Sequence, residues 1–332
     1  MSSTNASVSD NVIYDRREDK PVVMSGLYPA TVTPFAADLS VDWSALERHL
    51  RETAAVDGVE GLVVNGGLAE LLQLTADEQV EIVKLARRLC APGQLVVAGI
   101  DGRSARTVVE QALRLKAAGA QALLVFPPFD VRAYRRLAAD PDSVYRFFAE
   151  LDRDADLPLI VFQYPPHSGS AYSMDALRRI AGLRNVVAIK AASGTTPTYV
   201  ELWDALHEQV SVLAAVDSPP LLDMLMHGSH GALIGISAIV PEIWVELLRA
   251  AAAGDRQAAT AVFEKACKPL MASVFENQQP KRLTNEAAAT KEALVLLGQI
   301  PSSRVRPPAV DVDESVTAEI LQSLRDAELL KH

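Results

Sequence analysis

The chain has 332 residues, of which 49% are hydrophobic and 22% charged, and its formal net charge at pH 7 is −10. This composition is typical of a soluble globular protein with enough apolar material for a core. The negative charge and the lack of a basic block argue against a nucleic acid or an anionic membrane as partner, so a small molecule is the expected ligand.

The N-terminal segment and the two cysteines indicate where the protein is located. The first residues are polar and lack the apolar core of a secretion signal, so a flexible tail is predicted at residues 1–22. No apolar run reaches the roughly 18 residues that a membrane-spanning helix needs. Cys90 and Cys267 each stand alone, without metal-binding spacing. We therefore expect a reduced, cytoplasmic protein.

From residue 24 onward, short β-rich runs alternate with longer amphipathic segments, which indicates repeated βα units. Eight strands are predicted, at residues 26–33, 61–65, 95–100, 122–126, 159–162, 186–190, 212–216 and 231–235. Helices are predicted between them, at residues 43–56, 76–90, 105–118, 143–154, 174–180, 197–207, 219–226 and 241–252. Several strand runs are continuously apolar, as parallel strands covered on both faces are.

Eight such units favour a (β/α)8 TIM barrel over a doubly wound sheet, because no G-x-G-x-x-G motif follows the first strand. The barrel, with the active site, is predicted to occupy residues 23–253. Residues 254–332 contain helical patterns only, with the proline-rich segment "PSSRVRPP" before the last one, and are predicted to form a C-terminal helical extension.

Lys190 ends the apolar run "VVAIK", where the sixth predicted strand meets its loop. Active sites of such barrels lie at the carboxyl ends of the strands. Desolvation there favours the neutral amine, which is the nucleophile that forms a Schiff base with a carbonyl group. A lone lysine at a strand end more often reaches solvent or pairs with a carboxylate, so the residues alone leave both interpretations open.

Five segments then point to a known family: "GLYPATVTPF" at 26–35, "GGLAE" at 66–70, "FQYPPHSG" at 162–169, "VVAIKAASG" at 186–194 and "GSHGALIG" at 228–235. In their order and spacing the chain resembles the dihydrodipicolinate synthase and N-acetylneuraminate lyase family. The resemblance implies a barrel with a three-helix extension, usually tetrameric, in which Lys190 forms a Schiff base with pyruvate or another 2-oxo acid. It implies no metal or organic cofactor, and a homotetramer or homodimer.

The chain departs from the family pattern at the turn after the second strand. The family usually carries two hydroxyl residues there, which hold the substrate carboxylate, whereas this chain has Gly67 and Leu68. Backbone N–H groups at Gly66, Gly67 and Leu68 could still bind the carboxylate. A tight loop that needs glycine for its φ angles is the other interpretation.

A second departure lies in "FQYPPHSG". Phe162 stands where the family typically places a tyrosine that shuttles protons. Tyr164, two residues later and so on the same side of an extended strand, is the candidate for the catalytic hydroxyl, although a packing role is as good an account. His167 replaces the arginine with which the synthases bind their second substrate, and it is predicted to contact an anion or to act as a general acid.

Further residues follow from the same resemblance. Phe129 stands where the family places an aromatic residue that joins the proton relay from a neighbouring subunit, and the backbone near Leu233 is predicted to approach the substrate. Asp217 lies where the family has an acidic or polar residue near the site, but "DSPP" is also a strong helix start, so a capping role stays open. The loop after the fourth strand holds basic residues that more often form a solvated surface than meet an acidic substrate: Arg132, Arg135 and Arg136.

The preferred function is a class I lyase that binds a 2-oxo acid as an imine on Lys190, which permits aldol cleavage, aldol addition or dehydration. Phe162 argues against dihydrodipicolinate synthesis itself. The segment "SGSAYS" loosely resembles the dehydratases of 2-keto-3-deoxy sugar acids in the family, so dehydration or aldol cleavage of such an acid is the preferred reaction.

Two alternatives are weighed against this function. A catalytically silent relative could bind a 2-oxo acid as a sensor or structural subunit, since Leu68, Phe129 and Phe162 are apolar at relay positions. The retained Lys190 argues against that role. A phosphate-binding barrel is disfavoured, because the loops after the last two strands lack the Gly/Ser pairing with a helix start that phosphate sites use.

Overall fold

The computed structural model describes residues 20–128, 135–276 and 285–330. The predictions on Phe129, Arg132 and residues 1–19 lie outside these ranges. Lys20, within the predicted tail, donates a hydrogen bond to the carbonyl oxygen of Ala181 at 2.8 Å, so contact with the barrel begins by residue 20. No helix in the described ranges is long and apolar enough to cross a membrane.

The described residues contain eight parallel strands in the order β1-β8-β7-β6-β5-β4-β3-β2. The strands are β1 (Gly26–Leu27), β2 (Gly61–Val64), β3 (Leu95–Ile100), β4 (Ala122–Val125), β5 (Leu159–Gln163), β6 (Val186–Ala191), β7 (Ser211–Ala214) and β8 (Gly231–Ala232). β1 pairs with β8, and single parallel bridges, Leu27 to Val59 and Ala30 to Val63, bring it beside β2. The sheet therefore nearly closes, and the predicted (β/α)8 barrel is confirmed.

Eight helices alternate with the strands in the described ranges: α1 (Trp43–Ala54), α2 (Ala76–Leu89), α3 (Ala105–Ala118), α4 (Pro141–Asp154), α5 (Met174–Ala181), α6 (Thr196–Leu206), α7 (Pro220–His227) and α8 (Pro241–Ala252). Local sequence sets several of their starts. Thr75 accepts a hydrogen bond from the Glu78 N–H while the Glu78 side chain accepts one from the Thr75 N–H, which forms a capping box for α2. Ser104 caps α3 by accepting a hydrogen bond from the Thr107 N–H.

The C-terminal part is helical in every described element: α9 (Arg256–Val262), α10 (Lys268–Met271), α11 (Glu286–Leu296) and α12 (Glu314–Asp326). Two π-helical segments, Phe263–Cys267 and Ala272–Glu276, join α9 to α10 and prolong α10, so these elements form one continuous helix. Leu270, Leu294 and Ile320 belong to the same hydrophobic core as the barrel helices. The extension thus packs onto the barrel and is not a separate globule.

An ionic cluster, fully buried at one pair and partly buried at the other, fixes this extension to the barrel beside the GGLAE turn. Lys291 of α11 pairs with Glu70 and donates to the Arg304 carbonyl oxygen at 2.8 Å. The Arg306 N–H donates to Glu70 Oε2 at 2.9 Å, and its guanidinium forms a bidentate pair with Glu78, with both N–O distances 2.7 Å. The proline-rich segment "PSSRVRPP" therefore carries part of the attachment, through Arg304 and Arg306. We call these four side chains, Glu70, Glu78, Lys291 and Arg306, the ionic clasp.

Candidate active site

A cavity of about 540 Å³ lies at the carboxyl ends of the strands. It brings together six of the residues predicted from sequence: Gly66, Gly67, Leu68, Phe162, Tyr164 and Lys190. Asp217 and Gly235 line it from the loops after β7 and β8. Phe275 and Glu286 line it from the C-terminal extension, so the site is not built from the barrel alone.

Lys190 lies on β6 directly beside Phe162 of β5, with which it is in register. Its Nζ atom is 4.0 Å from the centre of the Phe162 ring, which is cation–π geometry. Burial lowers the pKa of Lys190 from 10.5 to about 8, against the opposing charges of Asp217 and Glu286. A substantial share of the amine is therefore neutral, and nucleophilic, in mildly alkaline solution.

Phe162 also anchors a wall of aromatic rings. Its ring meets Phe126 edge to face at a centroid distance of 5.1 Å and Tyr164 at 4.6 Å. Edge-to-face pairs of this kind are favourable and hold the rings in fixed orientations. Phe162 can thus stabilise a charged amine through its ring face, but it has no proton to exchange.

The turn after β2 is shaped by residues other than its glycines. Positive φ angles occur at Asn65 (55°) and Glu70 (58°), whereas neither Gly66 nor Gly67 has one. A Cβ atom added at either glycine would meet nothing within 4 Å. The interpretation that this turn needs glycine for its φ angles is therefore wrong, and the glycines instead leave open space at the cavity.

That turn presents free backbone donors. In the described part of the chain, the N–H groups of Gly67 and Leu68 donate to no acceptor, whereas the carbonyl oxygens of Gly66 and Gly67 accept from Leu71 and Glu70 at 3.1 and 3.0 Å. The Thr33 hydroxyl stabilises the turn by donating a hydrogen bond to the Ala69 carbonyl oxygen at 2.9 Å. Two neighbouring N–H groups beside a cavity can bind a carboxylate without any hydroxyl side chain.

Asp217 does not cap the following helix. α7 begins at Pro220 with Pro219 before it and no side-chain cap, so the capping interpretation is wrong. The Asp217 carboxylate instead accepts a hydrogen bond from the Ile236 N–H at 2.8 Å and faces the cavity. Burial raises its pKa from 3.8 to about 7, although that N–H and the charge of Lys190 oppose the shift.

Glu286, the first residue of α11, was not found from the sequence. Its side chain retains accessible surface because it borders the open cavity, but the surrounding protein raises its pKa, against the attraction of Lys190. Asn285 caps α11 by accepting from the Ala288 N–H at 2.9 Å. The cap predicts where this helix begins, but nothing local indicates that its first residue faces a barrel mouth.

Two predicted binding residues do not line the cavity. Leu233 is fully buried and its N–H donates to the Ala214 carbonyl oxygen at 3.0 Å, so it is a core residue. Gly235, two residues later, takes the cavity position instead. His167 is exposed on the short turn Pro166–Ser168, and Ser168 reaches the cavity where His167 does not. The described basic residues of the strand-4 loop are exposed, as a solvated surface would be: Arg135 and Arg136.

No group of three or more His, Cys, Asp or Glu side chains within the described ranges is arranged to hold a metal ion. The ionisable groups that line the cavity there are one amine, Lys190, two carboxyl groups, Asp217 and Glu286, and the phenol of Tyr164. This set suits a small organic acid that reacts with an amine.

Fold and site together define a (β/α)8 barrel with a lysine amine lining the cavity at the carboxyl end of its sixth strand. The model of the dihydrodipicolinate synthetase family matches residues 23–327, and the chain belongs to this family. The resemblance noted from the five sequence segments is thereby confirmed.

Individual relatives agree with the family. The chain is 30% identical over 306 residues to the 4-hydroxy-tetrahydrodipicolinate synthase of Phenylobacterium zucineum, covering 92% of this chain and 98% of that protein. It is 29% identical over 308 residues to the enzyme of the same name from Anaplasma marginale, covering 93% and 96%. The solved dihydrodipicolinate synthase of Acinetobacter baumannii, in complex with pyruvate, matches with a TM-score of 0.81 and 26% identity over 92% of this chain and 99% of that one.

Proposed function

We propose that the protein is a class I lyase that binds a 2-oxo acid as an imine on Lys190. The observation that carries the proposal is the Lys190 amine, which lines the cavity. Burial lowers its pKa, so that a substantial share is neutral in mildly alkaline solution. The N–H groups of Gly67 and Leu68 would hold the carboxylate of the acid. The pyruvate complex of the Acinetobacter baumannii relative supports pyruvate as the common part of the substrate.

The chemistry follows from the amine. Neutral Lys190 attacks the C2 carbonyl carbon, and the resulting carbinolamine loses water to give a protonated imine. The positive nitrogen then accepts the electron pair released when the C3–C4 bond breaks in aldol cleavage, or when a C3 proton leaves before dehydration. Hydrolysis of the imine returns the amine.

The reaction partner beyond the pyruvate unit follows from the other cavity residues. Ser168, Ser218 and Tyr164 offer hydroxyl groups, which suit the hydroxylated chain of a 2-keto-3-deoxy sugar acid. Among the described residues that line the cavity, Lys190 is the only cation, so the second carboxylate of a dicarboxylic product has no obvious partner there. We therefore propose aldol cleavage or dehydration of a 2-keto-3-deoxy sugar acid ahead of dihydrodipicolinate synthesis.

The test is reductive trapping. The protein is incubated with pyruvate or longer 2-oxo acids and cyanoborohydride, and the modified peptide is located by mass spectrometry. We expect a single adduct on Lys190, whose yield rises with pH around a midpoint of about 8, because only the neutral amine reacts. Protein reduced without a 2-oxo acid is the control. Absence of an adduct across the panel would exclude imine chemistry, whereas an adduct with neither turnover of any sugar acid nor dihydrodipicolinate synthesis would favour the silent alternative.

Tyr164 is proposed as the hydroxyl that protonates the oxygen leaving from the carbinolamine. Tyr164→Phe is then expected to slow adduct formation by roughly 10²-fold, the lower end of what a positioned acid contributes. The measurement is the rate of trapping with pyruvate at fixed pH. Tyr145→Phe, on α4 where the ring contacts Arg179 at 4.9 Å, is the matched control. An unchanged rate in Tyr164→Phe would assign Tyr164 to packing alone.

A further inference from the structure

The proton at C3 of the bound acid needs a group that takes it and returns it, and Phe162 cannot do so. We propose that Glu286, contributed by the C-terminal extension, is a catalytic residue that moves this proton. The inference rests on the imine function proposed above. It assigns to the extension a chemical role in addition to its packing role.

The position of Glu286 is fixed by the rest of α11. Asn285 caps the helix, and Ala287, Ala288 and Ala289 are buried against the protein. One turn further, Lys291 is held by the ionic clasp. These attachments leave Glu286 at the cavity border, on the same cavity as Lys190.

Two carboxyl groups face one amine in this cavity, and their surroundings differ. Asp217 is held by the Ile236 N–H at 2.8 Å, so its carboxylate is committed to the loop after β8. Glu286 accepts no hydrogen bond from another described residue, and its side chain is one methylene longer. The negative charges of both carboxyl groups raise the pKa of Lys190. Asp217 is therefore suited to balance the charge of the imine, and Glu286 is the group free to reach the substrate.

Each step balances. The Glu286 carboxylate takes the C3 proton, the C–H electron pair becomes the C2–C3 double bond, and the imine electron pair moves onto the Lys190 nitrogen, which gives a neutral enamine. In aldol addition C3 then attacks an aldehyde carbon, and protonated Glu286 gives its proton to the new hydroxyl oxygen. Cleavage is the reverse, in which Glu286 takes the hydroxyl proton and delivers it to C3. No oxidant or reductant is needed.

Pyruvate in deuterated water tests this step without the full substrate. The wild-type protein is expected to replace the methyl protons of pyruvate by deuterium, followed by proton NMR. Glu286→Gln is expected to slow this exchange by roughly 10²- to 10⁴-fold, the usual contribution of a general base. It should still give the cyanoborohydride adduct on Lys190 in wild-type yield. Glu286→Asp keeps a carboxylate and should recover part of the exchange.

The matched control is Glu292→Gln, because Glu292 lies on the same helix but accepts a hydrogen bond from Thr317 of α12 at 2.9 Å. Its exchange rate should equal that of the wild type. Exchange at the wild-type rate in Glu286→Gln overturns the inference, as does a variant that loses adduct and exchange together. If the wild-type protein forms no adduct at all, the proposed imine function itself has failed.

Discussion

Lys190→Met is expected to abolish the reductive adduct and to lower turnover by at least about 10³-fold, because the covalent intermediate can no longer form. The same change should make the folded protein more stable near neutral pH. Methionine has a similar length, and its thioether adapts well to the ring of Phe162 and the apolar strand around it.

The sign of the stability effect follows from the pKa of Lys190. Folding lowers this pKa from 10.5 to about 8, so the unfolded chain binds more protons between these two values. The charged lysine therefore destabilises the folded state fully below pH 8, and this cost disappears as the pH rises through 10.5. The difference corresponds to a gain of up to about 3 kcal/mol for Lys190→Met at pH 7. Asp217 and Glu286 reduce the gain, because they lose their cation.

Urea unfolding followed by circular dichroism at pH 7 and at pH 10 measures the effect. The gain in free energy of unfolding should be larger at pH 7 than at pH 10. Lys84→Met is the control, since Lys84 is exposed on α2 in a surface pair with Glu81 and should change stability little at either pH. A variant that still forms the adduct, or that is less stable at pH 7 than at pH 10 relative to wild type, contradicts this account of Lys190.

The sequence predicts most of the fold because the apolar runs are long and because capping residues mark several of the helix starts. The helix Ala105–Ala118 and the strand Leu95–Ile100 have the predicted limits. The first strand is shorter than predicted, since its continuous part covers only Gly26–Leu27 and a single bridge at Ala30 follows. Pro29 lies within the predicted range and has no N–H to donate to a neighbouring strand.

The residues of the site also differ in whether the local sequence predicts them. Lys190 is predictable because a lysine ends a buried strand whose direction is fixed by the barrel. Glu286 and Phe275 are not, because they reach the cavity only through the packing of the extension on the barrel. Glu70 is the clearest residue whose role the local sequence does not indicate. Its place in the GGLAE segment predicts only a turn, because its partner Lys291 is 221 residues away along the chain.

Lys291→Met is expected to destabilise the protein by about 3 to 5 kcal/mol, the usual cost of leaving one member of a buried ion pair alone. The Lys291 side chain is fully buried and Glu70 nearly so, with 0% and 2% of their side-chain surfaces exposed. Burial lowers the pKa of Lys291 to about 8 although Glu70 opposes the shift. The pair therefore gains little over an apolar contact, but the lone Glu70 carboxylate would be costly.

This asymmetry predicts the behaviour of the double variant. Glu70→Gln with Lys291→Met removes both charges, while the glutamine side-chain oxygen can still accept from the Arg306 N–H, so most of the lost stability should return. Lys268→Met, which breaks the exposed pair with Glu264 on the same extension, is the control and should cost less than about 1 kcal/mol. Free energies of unfolding from urea titrations at pH 7 decide the matter. Equal losses in the single and double variants would show that Lys291 acts through its packing and not through its charge.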